Sequence, residues 1–118
     1  MHVDWVKCES GTWCNFLQVN LNHQHFNNLE GIYIIWHGGQ NPAVVYVGQG
    51  VIRDRLSAHR NERSILQYQD RGLYATWAVL PRSVRDGVEK FLYDYLKPKA
   101  GEKCPDCIPI PVNTPWTN

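Results

Sequence analysis

The sequence predicts a single α+β domain, 1–118, built on a small, largely antiparallel sheet of three strands flanked by helices. The chain has 118 residues, which is the usual size of one domain. Hydrophobic residues make up 43% and charged residues 19% of the chain, a composition typical of globular proteins. The predicted elements follow the order strand, strand, helix, strand, helix, and the first two strands form a hairpin.

The predicted hairpin consists of two runs of β-branched and aromatic residues, 31–36 and 43–47. Between them, residues 37–42 contain the Gly, Asn and Pro that form turns. Both runs are apolar on both faces, so we expect helices to cover the sheet on two sides. A symmetric loop would place Tyr33 directly opposite Tyr46.

Helical regions and a third strand follow the hairpin. The residue pattern predicts a helix over 51–61, a short helix over 62–70, a strand over 73–80 and a helix over 83–96. Apolar residues of the last helix repeat at helical spacing, and Pro98 stops it. Two further segments are an N-terminal extension, residues 1–30, and a Pro-rich C-terminal wrap, residues 99–118.

Charge is distributed unevenly along the chain. Residues 53–99 carry ten Lys or Arg against six acids, a net charge of +4, while the segments before and after are mildly acidic. A basic segment inside a nearly neutral chain predicts a phosphate-facing surface, or else a solvated helix face.

Neither a membrane span nor a secretory leader is predicted. The longest apolar run, residues 32–36, is far shorter than the ~18 residues that a span needs. The N-terminus has no charged stretch followed by an apolar one. We therefore expect a cytoplasmic protein whose cysteines are reduced unless a metal binds them.

The cysteines leave two alternatives. The last two have C-x-x-C spacing, which suits zinc, but the first two are separated by five residues, outside the usual range. We expect thiols packed as small hydrophobic groups, with a structural zinc site as the alternative. The zinc ligands would be Cys8, Cys14, Cys104 and Cys107.

Five residues are candidates for a functional site. Tyr33 and Tyr46 lie on neighbouring predicted strands, and Arg55 and His59 share one helix face at i, i+4. Glu89 lies at the margin of the apolar stripe of the last helix. Arginine binds phosphate bidentately, histidine moves protons near neutral pH and a carboxylate ligates hard cations. Each residue alone has a structural alternative: an aromatic pair, a surface arginine, a core histidine or an ion-paired glutamate.

Together, in order and spacing, these residues resemble the GIY-YIG nuclease family. Gly31-Ile32-Tyr33 matches the first triplet letter for letter, and Tyr46-Val47-Gly48 matches the second with Val for Ile. Arg55, His59 and Glu89 follow in the family's order, and the resemblance covers about residues 30–98. It implies a GIY-YIG nuclease-like sheet and a DNA endonuclease that hydrolyses phosphodiester bonds with one divalent metal, Mg²⁺ or Mn²⁺.

The resemblance also implies a role for each residue. Glu89 would hold the metal, and Arg55 would bind the scissile phosphate and stabilise its developing charge. Tyr33 and Tyr46 would position or deprotonate the attacking water, and His59 would assist proton transfer. We expect further DNA contacts from Gly48, Gln49, Arg53, Arg60 and Arg63.

The chain departs from the family pattern at two points. The interval from Tyr46 to Arg55 is one residue shorter, which makes Arg53 a candidate substitute for Arg55. Asn113 is the nearest candidate for the asparagine that often follows the glutamate helix. No appended DNA-binding module is recognised, so another protein or domain would supply target choice. Two alternatives are a non-catalytic nucleic-acid-binding module on the same fold and a zinc-stabilised interaction domain.

Overall fold

A computed structural model describes residues 1–101 and 105–116 as an α+β domain with one antiparallel sheet. The strands are β1 (Cys14–Asn15), β2 (Glu30–His37), β3 (Ala43–Val51) and β4 (Leu73–Val79). They lie in the order β1-β4-β2-β3, so β3 is an edge strand. The α-helices are α1 (Ile52–His59), α2 (Arg63–Leu66) and α3 (Arg82–Leu96), and 3-10 turns cover Glu9–Gly11, Gln24–Phe26 and Gln69–Arg71.

The α+β class and the antiparallel sheet are confirmed, but the predicted number of three strands is wrong. The additional strand is β1, in which Cys14 pairs with Ala75 and Asn15 with Tyr74. A strand of two residues is too short to show the alternation by which strands are recognised in a sequence. None of the described helices is long and apolar enough to cross a membrane.

The predicted hairpin forms, but its register differs from the symmetric one. Tyr33 lies opposite Gly48 and Tyr46 lies opposite Ile35. The pairing of His37 with Ala43 accounts for one residue of the difference, and the shift between Ile35 and Trp36 accounts for the other. The direct pairing of the two tyrosines is therefore wrong. Since the difference is two residues, both side chains still point to the same face of the sheet.

Helices cover the sheet on two sides, as predicted. One core lies on the α1 side and contains Tyr33, Ile35, Leu56 and Trp77. The other core lies on the α3 side and contains Ile32, Ile34, Val88 and Leu92. The sheet therefore separates two packed layers, one on each face.

Two arginines of the basic segment fix the N-terminal extension to the domain. Arg53 Nε donates to Leu21 O at 2.6 Å, and its Nη2 donates to His23 O at 3.1 Å. Arg60 donates to Phe16 O at 3.0 Å and to Val19 O at 2.6 Å. These bonds satisfy backbone carbonyls in a segment with little regular structure.

The two chain ends are joined by Asn113. Its Oδ1 accepts from Val3 N at 2.7 Å, its Nδ2 donates to Val3 O at 2.9 Å, and its backbone carbonyl accepts from Trp5 Nε1 at 2.9 Å. Asn113 is therefore a structural clamp. Its assignment to the family asparagine is corrected, because its side-chain amide is committed to the backbone of Val3.

Cys8 and Cys14 form a disulfide with their Cα atoms 5.1 Å apart. The expectation of reduced thiols is wrong for this pair, because the five residues between the cysteines include a 3-10 turn that brings the two sulfurs together. The disulfide also removes both residues as thiolate ligands of the alternative, a structural zinc site. Cys104 lies outside the described residues, and within the described ones no cluster of three or more metal-ligating side chains occurs.

Gly31 lies in β2 where the backbone of the paired strand β4 leaves no room for a side chain. A Cβ atom at this position would overlap the backbone carbonyl of Ala78. We predict that Gly31→Ala lowers the free energy of unfolding by about 2–4 kcal/mol, because the overlap is with backbone that cannot rotate away.

Urea denaturation measures this effect, and Gly38→Ala is the matched control. A Cβ at Gly38 would meet only the ring edge of Tyr74, which can move. An equal loss of stability in the two variants would contradict the steric explanation.

Candidate active site

The predicted site residues lie around the β2–β3 hairpin, with α1 on one face of the sheet and α3 on the other. Tyr33 and Tyr46 project from the sheet toward α1, which carries Arg55 and His59. Glu89 lies on α3, and its charge raises the pKa of both phenols. Residues that are far apart in sequence therefore share one electrostatic environment.

The two tyrosine rings form a stacked pair. Their centroids are 6.1 Å apart and their planes differ by 4°. Gly48 makes this arrangement possible, because a Cβ there would overlap the hydroxyl and ring of Tyr33. The glycine of the second triplet thus has a steric role, and its contact with DNA stays a prediction.

His59 is fully buried and contacts both phenols. Its Nε2 lies 2.6 Å from the Tyr33 hydroxyl, and its ring centroid is 4.3 Å from that of Tyr46. The other nitrogen, Nδ1, is 3.0 Å from Oε2 of Glu62, although the angle of this contact falls short of a hydrogen bond. Burial lowers the pKa of His59, so the neutral imidazole predominates at neutral pH.

Arg55 approaches the same hydroxyl from the helix. Its Nε lies 3.4 Å from Oη of Tyr33, a long hydrogen bond, and the guanidinium is half-buried beside both phenols. Burial raises the pKa of Tyr33, and the charge of Arg55 opposes this only in part. Burial also raises the pKa of Tyr46. Both phenols are therefore neutral near pH 7, and neither is a ready phenolate base.

Glu89 is a buried carboxyl group with an unusual pKa. Only 8% of the residue is exposed, and burial raises its pKa to about 7. A hydrogen bond from Gln49 and the charge of Arg55 act in the opposite direction, while Asp86 adds repulsion. Gln49 also donates to Asp86 at 2.7 Å, so one amide links two carboxyl groups of α3.

The chemistry of this carboxyl group fits a hard divalent cation. A carboxylate that burial holds partly protonated is stabilised in its ionised form when a cation binds beside it. Mg²⁺ typically takes one or two protein carboxylates and completes its shell with water and substrate phosphate oxygens. Glu89 therefore meets the requirement, with the exposed Asp86 beside it.

The predicted DNA contacts fall into two groups. Gln49 lies at the edge of β3 and Arg63 is exposed at the start of α2, so both remain candidates. Arg53 and Arg60 are corrected, because their guanidinium groups bond to backbone carbonyls of the N-terminal extension. Arg53 is also excluded as a substitute for Arg55, since it turns away from the two tyrosines.

Sequence reasoning missed Glu62 and Asp86. Glu62 follows α1 by three residues, and the i, i+3 spacing from His59 was a signal that could have identified it. Asp86 stands three residues before Glu89 on α3 and faces Gln49. Neither residue stands out in the sequence, because both lie in a segment that contains several other acidic residues.

Two cavities among the described residues lie away from this site. One of about 590 Å³ lies against Cys8 and Trp77, and another of about 440 Å³ lies between Trp36 and Trp116.

Comparisons with protein-family models, curated proteins and solved structures give no match to this chain. The GIY-YIG resemblance therefore stays a prediction that rests on the two triplets and the residues that follow them.

The raised pKa of Glu89 predicts a pH dependence of stability. In the unfolded chain this carboxyl group loses its proton near its ordinary pKa of about 4.3, whereas the folded protein retains it to about pH 7. Stability therefore falls as pH rises through this window. In EDTA, we compare the free energy of unfolding of the wild type with that of Glu89→Gln. We expect this difference to change by roughly 1–3 kcal/mol against the wild type between about pH 5 and pH 8.

Chemical denaturation at both pH values measures this difference, and Asp94→Asn on the exposed part of α3 is the control. Adding Mg²⁺ at the higher pH should stabilise the wild type and Asp94→Asn but not Glu89→Gln. A wild-type advantage over Glu89→Gln that does not change with pH would contradict the assigned burial of the carboxyl group.

Proposed function

We propose that this protein is a divalent-metal-dependent DNA endonuclease of the GIY-YIG type that hydrolyses phosphodiester bonds. One observation carries the proposal: the Tyr33 hydroxyl contacts both Arg55 and His59, and the buried Glu89 acts electrostatically on the same phenol. The proposal thus assigns a phosphate-binding guanidinium, a proton acceptor and a metal-binding carboxyl group to the surroundings of one phenol. Phosphodiester hydrolysis requires these three functions.

The residues divide the reaction between them. Arg55 would hold the scissile phosphate and stabilise the charge that develops on it, because its guanidinium stays ionised at every relevant pH. Glu89, with Asp86 nearby, would hold Mg²⁺ or Mn²⁺, and the bound ion would supply Lewis acidity at the phosphate. Tyr46, the more exposed phenol, would position the attacking water, while the buried Tyr33 would connect that water to His59.

DNA is the proposed substrate, and its backbone would lie along the edge of β3. Gln49 and Arg63 are the proposed additional contacts, together with the backbone at Gly48. These few groups provide little base recognition, since sequence is read by contacts to base edges. We therefore propose that another protein or domain supplies target choice.

The second candidate is a nucleic-acid-binding module on the same fold that does not cut. The burial of Tyr33 favours it, because the residue has no exposed surface and its hydroxyl already has two partners. A binding module, however, has no need for a buried carboxyl group beside the arginine. The zinc-stabilised interaction domain is disfavoured by the Cys8–Cys14 disulfide.

We propose the cytoplasm as the compartment in which the protein acts. The DNA substrate is found there, and the Cys8–Cys14 disulfide would have to persist against redox buffers that reduce most protein disulfides in that compartment.

Cleavage of plasmid DNA is the primary test. We expect the purified protein to nick supercoiled plasmid in Mg²⁺ and to stop in EDTA. Glu89→Ala should lower the rate roughly 1,000-fold, because Lewis-acid stabilisation of the transition state is worth several kcal/mol. Binding of a labelled DNA duplex, measured by anisotropy, should change little.

Asp94→Ala is the matched control on the same helix, and it should cut at the wild-type rate. Glu89→Ala cutting as fast as the wild type would refute the metal assignment. DNA binding without Mg²⁺-dependent cutting would instead identify the second candidate.

The two arginines of α1 provide an independent test of roles. We predict that Arg55→Lys lowers the cutting rate roughly 100-fold with little change in Tm, because it loses the bidentate fork. Arg53→Lys should lower Tm, since it breaks bonds to the N-terminal extension, and should leave the rate nearly unchanged. The opposite pattern would show that Arg53 is the phosphate ligand.

A further inference from the structure

Glu62 occupies a position from which its carboxylate faces His59. Helix α1 ends at His59, and the backbone N–H of Glu62 donates to the carbonyl of His59 at 3.1 Å. This turn folds the side chain of Glu62 back over the imidazole, with Oε2 at 3.0 Å from Nδ1. Glu62 is also the N-cap residue of α2, but its side chain makes no capping bond. The carboxylate is thus directed to the histidine and not to the helix.

The contacts of His59 with Tyr33 and Glu62 together favour one tautomer of the neutral imidazole. Arg55 Nε can only donate, so it occupies a lone pair of the Tyr33 oxygen. The Tyr33 proton is then available to Nε2 of His59, which is 2.6 Å away. An Nε2 that accepts this proton carries none itself. The reverse arrangement, in which Nε2–H donates to the second lone pair of the Tyr33 oxygen, would turn the lone pair of Nδ1 toward the Glu62 carboxylate, so the contact at 3.0 Å favours the hydrogen on Nδ1.

We propose that Glu62 is a positioning residue, which holds His59 in the Nδ1–H tautomer so that Nε2 accepts the hydroxyl proton of Tyr33. The same logic applies in a serine-histidine-aspartate triad, where the carboxylate sets the tautomer and stabilises the imidazolium. In this protein His59 would accept the proton of a phenol, the Tyr33 hydroxyl, where the triad histidine accepts that of a serine.

The role in catalysis rests on the proposed nuclease function. As the attacking water forms its bond to phosphorus, the bond to the leaving oxygen breaks, and its electron pair stays on that oxygen, which takes a proton from solvent water. The attacking water passes one of its own protons to Oη of Tyr33. The phenol simultaneously gives its own proton to Nε2 of His59. The proton lost by water thus ends on the imidazole, and Tyr33 is never a free phenolate. This relay suits a phenol whose pKa burial raises.

The groups that face His59 come from every neighbouring element. Tyr33 contacts it from β2, Tyr46 from β3 and Arg55 from its own helix, while Glu62 approaches from the following turn. Burial lowers the pKa of His59, the Glu62 contact raises it and the charge of Arg55 lowers it. Glu62 is the only anion among these four groups, so it is the one able to stabilise the imidazolium.

Nitrogen NMR of the histidine rings tests the proposal without reference to activity. In ¹⁵N-labelled protein at about pH 8, where imidazoles are neutral, we expect a pyrrole-type shift at Nδ1 of His59 and a pyridine-type shift at Nε2. In Glu62→Ala the Nε2–H tautomer should become populated and the pKa of His59 should fall. The cutting rate should fall roughly 10- to 100-fold at unchanged DNA affinity.

Two further variants make the test specific. Asp54→Ala, which removes an exposed acid from α1, changes the net charge equally and should alter neither the tautomer nor the rate. Glu62→Gln keeps an acceptor for the Nδ1 hydrogen, so it should keep the tautomer while lowering the pKa of His59. Glu62→Gln also replaces Glu62→Ala as the test variant if Glu62→Ala does not fold. If the pKa of His59 in Glu62→Gln equals that in the wild type, the proposal is overturned.

The outcomes separate this proposal from the proposed function. A predominant Nε2–H tautomer in the wild type overturns the role of Glu62, and so does a tautomer that Glu62→Ala leaves unchanged, even if the protein cuts DNA. A tautomer change in a protein that cuts no DNA supports the positioning role and refutes the nuclease function.

Discussion

One buried hydroxyl, that of Tyr33, organises the site. It reaches the edge of the sheet only because Gly48 on the neighbouring strand has no side chain. There it contacts His59 and Arg55, so a single oxygen joins the central strand to α1. The orientations of the imidazole, the guanidinium and the stacked Tyr46 all depend on this contact. A small displacement of the ring would separate groups that must act together.

Burial disfavours the charged forms of several groups in the site, and the charged residues around them only partly offset this effect. Burial raises the pKa of Glu89 and Tyr33 and lowers that of His59, so each group is less easily charged than in water. Structural residues are seldom placed so unfavourably, whereas functional sites often contain groups with shifted pKa values. The pattern is therefore consistent with a site that gains its charges when substrate and cation bind.

Much of the fold and part of the site could be predicted from the sequence. The long strands and α3 were predictable because their apolar residues repeat regularly, and the two glycine-tyrosine triplets identified the neighbouring strands. The two-residue β1 and the shifted hairpin register gave no such pattern. The structural role of Arg53 and the contact of Glu62 with His59 depend on which chain segments pack against each other in the fold. The spacing of residues along the sequence does not give this information. The Cys8–Cys14 disulfide was missed because a cytoplasmic setting was assumed.

The location of a bound divalent cation tests the account most directly. Mn²⁺ broadens the NMR signals of nuclei close to it, so a titration maps its position on the folded protein. The account predicts selective broadening at Glu89, Asp86 and Gln49 and at the two tyrosines, and loss of this broadening in Glu89→Ala. Broadening centred elsewhere, or an unchanged pattern in Glu89→Ala, would contradict it.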